Sequence, residues 1–206
     1  MAEERVSHWD EVYGEKDDTQ LSWHQDDPST SIELCDVAGV DSDSSVIDIG
    51  GGTSRFAERL IKRGLADISV LDVSEAALDR SRRQLGPVSE QIQWIAADVT
   101  KWRPERCYDI WHDRAVFHFL VDAHERMAYR DRLYRCLQPG SHAIIATFAL
   151  DGPKKCSGLP VVRYDPERLN EVLGDRFTLV ADRREKHSTP WGSTQSFQFS
   201  LLRMGQ

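Results

Sequence analysis

Apolar residues along this chain follow two alternating rhythms. Short runs rich in β-branched residues recur at 45–49, 68–71, 92–96, 108–112 and 142–149, dense enough to be strands buried on both faces. Between them lie stretches with apolar residues at helical spacing. One spans 54–63, where Phe56, Leu60 and Ile61 share a face and Gly64 stops the helix. Others span 75–85, with Ser74 as N-cap, and 124–137, ending in a chain reversal at Gln138-Pro139-Gly140. Strands alternating with helices predict a parallel sheet covered on both faces and joined by right-handed crossovers. The rhythm breaks after a helix at 165–173. Strands at 177–186 and 195–203 are separated only by the turn-rich segment 187–194, too short for a parallel return, so they must be antiparallel. The expected fold is α/β: a doubly wound, mostly parallel seven-stranded sheet with an antiparallel C-terminal edge hairpin. Residues 1–206 read as one domain, with a helical flank or lid at 1–44, a core at 45–150, and a loop, helix and hairpin at 151–206.

Composition narrows the partners. The 26 basic residues against 34 acidic ones leave a net charge of −8, which removes the electrostatic attraction that usually dominates nucleic-acid binding. No segment approaches the roughly 20 apolar residues of a membrane span, and the start Met-Ala-Glu-Glu-Arg does not read as a signal peptide. Cys35, Cys107, Cys136 and Cys156 show no paired spacing, which predicts free thiols in a reducing, cytoplasmic compartment. No histidine stands at metal-ligand spacing from a neighbour, so no metal is expected.

In open α/β sheets ligands sit beyond the carboxyl ends of the strands. There the sequence places Asp48-Ile-Gly-Gly-Gly-Thr-Ser54 after the first strand, Asp72 after the second, and Asp98-Val99 after the third. Gly50 and Gly52 let the backbone turn sharply beside a ligand, although glycines alone are equally a plain strand–helix turn. A carboxylate at Asp72 suits the hydroxyls of a ribose, and one at Asp98 suits an exocyclic amine. The third glycine of a dinucleotide fingerprint is missing, since Arg55 follows, and Asp48 would repel a pyrophosphate yet accept from an ammonium group. An adenosine joined to an amino acid, as in S-adenosyl-L-methionine, fits these residues better than a nicotinamide dinucleotide. An oxidoreductase and a non-catalytic cofactor-binding module remain as alternatives.

These residues resemble the class I S-adenosylmethionine-dependent methyltransferases. The resemblance rests on Val46-Ile-Asp-Ile-Gly-Gly-Gly52, Asp72, Ala97-Asp98-Val99, Tyr108-Asp-Ile-Trp-His-Asp-Arg114 and Leu137-Gln-Pro-Gly-Ser141. It implies a Rossmann-like methyltransferase fold in which Asp72, with Val73 beside it, holds the ribose. Asp98 and Val99 would hold the adenine, while Gly50, Gly52 and Asp48 serve the methionine end. Trp9-Asp-Glu-Val-Tyr13 and Trp23 resemble the elongation-factor lysine methyltransferase branch, where such aromatics close over the cofactor. That branch carries Lys-Gly where this chain has Arg114-Ala115, which gives Arg114 the place of a cofactor-contacting lysine.

Methyl transfer to a hydroxyl requires a base, whereas amines and thiols need little more than desolvation. His112, with Asp113 orienting it, His118 and His187 are the candidates, all expected near the carboxyl edge of the sheet. The loop 158–164 offers an acceptor wall through Arg163 and Tyr164. No Asn-Pro-Pro-Tyr follows the fourth strand, which argues against methylation of nucleic-acid bases. The expected activity is methyl transfer to a small molecule, leaving S-adenosyl-L-homocysteine; the alternative is protein-lysine N-methylation.

Overall fold

The computed structural model describes residues 2–15 and 20–206. Two helices, α1 (Ala2–Glu15) and α2 (Ser29–Ala38), precede the first strand. Then β1 (Ser45–Ile49), α3 (Phe56–Lys62), β2 (Asp67–Asp72), α4 (Glu75–Leu85), β3 (Ile92–Ala96) and β4 (Tyr108–Arg114) alternate. They are followed by α5 (Ala123–Cys136), β5 (Leu137–Phe148), the short strands β6 (Lys155–Cys156) and β7 (Leu159–Pro160), and α6 (Pro166–Leu173). The long hairpin β8 (Phe177–Ser188) and β9 (Thr194–Met204) completes the chain. Seven strands form one sheet in the order β3-β2-β1-β4-β5-β9-β8. Pairing is parallel from β3 to β5 and antiparallel for β5–β9 and β9–β8.

The apolar runs are continuous because each strand feeds two cores. In β1, Val46 packs with Leu34, Phe56 and Leu60 of α2 and α3, while Ile47 and Ile49 pack on the other face with Tyr129, Leu133 and Leu169 of α5 and α6. Ser74 caps α4 as expected, its Oγ accepting from the Ala77 N–H at 3.2 Å. Asp165 caps α6 by accepting from the Arg168 N–H at 2.9 Å.

Three expectations on local structure need correction. Gln138-Pro139-Gly140 is not a reversal between elements: it lies within β5, where pairing with β4 jumps from Tyr108↔Leu137 to Ile110↔His142. Pro139 lacks the N–H a regular ladder needs, so the extra residues bulge out of the pairing. The hairpin strands run further than read, leaving only residues 189–193 between them. The β6–β7 ribbon, turning through Ser157 (φ 48°) and Gly158 (φ 80°), carries no apolar alternation that would announce it.

Candidate cofactor and acceptor site

Beyond the carboxyl ends of β1–β4 lies a cleft of about 90 Å³, open to solvent on one side. One wall is Gly50, Asp72, Val73, Asp98 and Val99, at the ends of β1, β2 and β3. The facing wall is aromatic: Trp9, Tyr13, Trp23 and Phe119 meet in mostly edge-to-face contacts, with ring centroids 5.2 Å apart for Trp9–Phe119 and 5.5 Å for Trp9–Trp23. Arg114, Ala115, Val116, Leu120 and Cys156 close the end nearest β5. A smaller cavity of about 50 Å³ shares Tyr13, Trp23, Gly50 and Arg114 with the first, and adds Asp48, Ser31, His112 and Arg55.

The glycine bend is under steric constraint. Gly50 has φ 66°, and a Cβ there would lie 2.1 Å from Val116 Cγ2. A Cβ on Gly52 would come within 2.8 Å of Asp72 Oδ2 and 2.9 Å of the Tyr13 hydroxyl. Gly50 lines both cavities, where a side chain would fill the space, whereas Gly52 lines neither and packs against Asp72 and Tyr13.

Each aspartate is held differently. Asp72 Oδ1 accepts from the Ser74 N–H at 2.9 Å, but burial prevails and pushes its carboxyl up from 3.8 to about 7. Asp98 Oδ1 accepts from both the N–H (2.9 Å) and the hydroxyl (2.7 Å) of Thr100. Asp48 lies opposite His112 in the β1–β4 register, and its Oδ1 bonds His112 Nδ1 at 2.6 Å. His112 Nε2 in turn meets Ser31 Oγ at 2.9 Å, while Asp48 Oδ2 has no partner among the described residues. A buried carboxylate oxygen left open calls for a donor, and an ammonium group supplies one.

Arg114, largely buried, donates from Nη1 to the Trp23 carbonyl at 3.0 Å and lies 4.6 Å over the Phe197 ring. Burial lowers its pKa. Ala115, where the resembling branch has glycine, is held at φ 76°, a conformation costing a non-glycine residue roughly 1–2 kcal/mol.

The catalytic expectations fare unevenly. His112 lines the smaller cavity, but both its ring nitrogens are engaged. Asp113 orients no histidine. It is buried beneath the cleft, where it accepts from the Tyr129 hydroxyl (2.6 Å) and the N–H groups of Val116 (2.8 Å) and Phe117 (3.1 Å), fixing the turn after β4. Burial pushes its carboxyl up to about 6. His118 is wholly buried, its Nδ1 accepting from the Phe148 N–H at 3.3 Å, and burial drives its pKa down to about 3. His187 donates from Nε2 to the Ser22 carbonyl at 2.9 Å. Asp113, His118 and His187 line neither cavity. The loop expectation fails as well: Arg163 donates to the carbonyls of Leu150 and Gly152, and Tyr164 is buried against Phe117. Sequence reading missed Phe119 and Cys156. Phe119 sits in the apolar run 115–120, and Cys156 carries no local signal.

Residues 46–140 match the methyltransferase-domain family. The match covers just under half of the chain, and the seven-stranded sheet has the Rossmann-like fold of solved methyltransferases. The N-methyltransferase NodS from Bradyrhizobium japonicum, solved with S-adenosyl-L-homocysteine, superposes with a TM-score of 0.72 at 18% identity, covering 95% of this chain and 96% of that one. Among curated proteins the chain is similar to malonyl-[acyl-carrier protein] O-methyltransferase 1 of Ilyobacter polytropus, at 29% identity over 54% of this chain and 41% of that protein. It is also similar to the eEF1A lysine and N-terminal methyltransferase of Mus musculus, at 23% identity over 70% of this chain and 21% of that protein. The chain thus spans well under two thirds of these curated relatives.

Proposed function

We propose that the protein binds S-adenosyl-L-methionine and transfers its methyl group by in-line displacement to a small-molecule acceptor. The observation that carries this reading is the pairing of Asp72 and Asp98, from the ends of neighbouring strands, in one cleft with an aromatic wall, with Asp48 in an adjoining cavity that shares Tyr13, Trp23, Gly50 and Arg114. The bound cofactor supplies an activated methyl group and leaves as S-adenosyl-L-homocysteine. Asp72 accepts from the ribose hydroxyls, with Val73 alongside, and Asp98 with Val99 receives the adenine. Asp48, aimed by His112 and Ser31, accepts from the ammonium group through its open oxygen. Trp9, Tyr13 and Trp23 exclude water and offer π faces to the sulfonium, worth about 0.5–2 kcal/mol. Gly50 leaves room for the methionine chain.

The histidines hold structure instead of taking a proton. His112 and His187 are committed to hydrogen bonds and His118 is enclosed and neutral, so the acceptor brings a nucleophile that needs no strong base. Among the described residues no helix is long and apolar enough to cross a membrane. The four free cysteines support a reducing, cytoplasmic setting. Protein-lysine methylation is the second reading, favoured by the Trp9–Tyr13–Trp23 cluster and by the similarity to the mouse enzyme.

Calorimetry with S-adenosyl-L-homocysteine and with NAD tests the cofactor assignment; binding of NAD alone overturns it. Incubation with methyl-labelled cofactor and a cell lysate then separates the acceptors. Label in the small-molecule fraction supports the first reading, and label on protein bands the second.

A further inference from the structure

Arg114 carries more hydrogen-bonding capacity than the protein uses. Its Nη1 is spent on the Trp23 carbonyl, but Nε and Nη2 are buried with no hydrogen-bond partner among the described residues. The nearest carboxylate, Glu185, lies 3.8 Å from Nη2, beyond hydrogen-bonding reach. Its oxygens already accept from the Gln25 amide at 3.1 Å and the Thr30 hydroxyl at 2.5 Å. Nitrogens left in this way cost free energy until a ligand satisfies them, and a planar guanidinium is matched by a planar oxyanion.

The position of the group indicates whose oxyanion that is. Asp72 and Asp98 stand on β2 and β3, on one side of β1, whereas Arg114 ends β4 on the other. The contacts of its guanidinium with other sheet strands go to Phe197 of β9 and Glu185 of β8, further from the adenosyl side. Val116, Leu120 and Cys156 line the same end of the cleft, so what docks there has an apolar body. On the methyltransferase reading above, on which this inference rests, that end receives the acceptor. We infer that Arg114 is an acceptor-recognition residue and that the acceptor is an apolar organic acid whose carboxylate docks on its free N–H groups. An ammonium-bearing lysine is disfavoured at the same place by charge repulsion.

The test uses the protein loaded with S-adenosyl-L-homocysteine, so that failure to bind this product strikes the parent reading alone. Phenylacetate and hexanoate are compared with phenylacetamide and hexanamide, by thermal shift and calorimetry. The acids should bind at least about tenfold more tightly than the matched amides, as loss of charge-assisted hydrogen bonds predicts. Arg114→Gln should erase that preference while leaving the affinity ratio of S-adenosyl-L-homocysteine to methylthioadenosine, which lacks the amino-acid end, unchanged. Equal response to acids and amides overturns the inference. So does a fall in that ratio, which would assign Arg114 to the cofactor carboxylate. If Arg114→Gln does not fold, the acid–amide comparison on the unaltered protein decides alone.

Discussion

Replacing Asp72 with asparagine should stabilise the cofactor-free protein and weaken its grip on the adenosyl ribose. The side chain is buried, and this raises its carboxyl from 3.8 to about 7, with neighbouring Asp48 adding to the shift. Between those two values the folded state holds a proton that the unfolded chain has released, so stability falls as pH rises through the window. At 1.36 kcal/mol per pH interval, the destabilisation complete above about pH 7 amounts to roughly 4 kcal/mol. Asparagine cannot ionise and retains an oxygen for the Ser74 N–H, but its NH2 lacks a buried acceptor, a cost of about 1–3 kcal/mol. The net gain is about 1–3 kcal/mol at pH 8, or roughly 3–10 °C in melting temperature, and it vanishes or reverses at pH 4, where the folded-state carboxyl is protonated and the unfolded chain is only partly ionised. Ribose hydroxyls favour the ionised form, so wild-type affinity for S-adenosyl-L-homocysteine should rise with pH up to about 7 and then level off. Melting curves at pH 4 and pH 8, with calorimetry alongside, measure both effects. A variant less stable than wild type at pH 8, or one binding the product equally well, would refute the reasoning.

Other substitutions probe separate parts of the site. Gly50→Ala drives a methyl group into Val116 at a positive φ, and should cost about 1–3 kcal/mol by denaturant unfolding; adding Val116→Ala should restore part of it, and two independent, additive losses would disprove the clash. Tyr129→Phe removes a donor to buried Asp113 and an acceptor for the Trp111 indole, and should lower stability by about 2–4 kcal/mol; a neutral change would mean that Asp113 does not depend on this bond. His187→Ala frees the Ser22 carbonyl and should weaken product binding only two- to tenfold, through Trp23, with no new pH dependence; a collapse of turnover at unchanged cofactor affinity would return His187 to the reaction.

Legibility in the sequence followed how local the cause was. The limits of α4 and β3 were readable to the residue, because the Ser74 cap and the end of each apolar run are local events. Expecting Asp72 and Asp98 to line one cleft at the strand ends needed only the rule that strand ends face the ligand in a parallel sheet. What depended on strand order stayed hidden. Pairing of Asp48 with His112 exists because β4 lies beside β1 in a particular register, and no spacing along the chain encodes that. Asp113 read as catalytic because a carboxylate beside a histidine looks reactive, whereas its side chain drops beneath the floor to brace the next turn. Pro139-Gly140 signalled a reversal, but the tertiary pairing of β5 absorbed both residues as a bulge.

Residues 20–28 reach the cleft through Trp23, and they are bolted to the far half of the sheet by the bonds His187–Ser22, Arg114–Trp23 and Glu185–Gln25. Swinging this strip outward means parting all three together, at a combined cost of about 2–5 kcal/mol. On the proposed reading, release of the spent nucleoside past Trp23 requires the same three bonds to part.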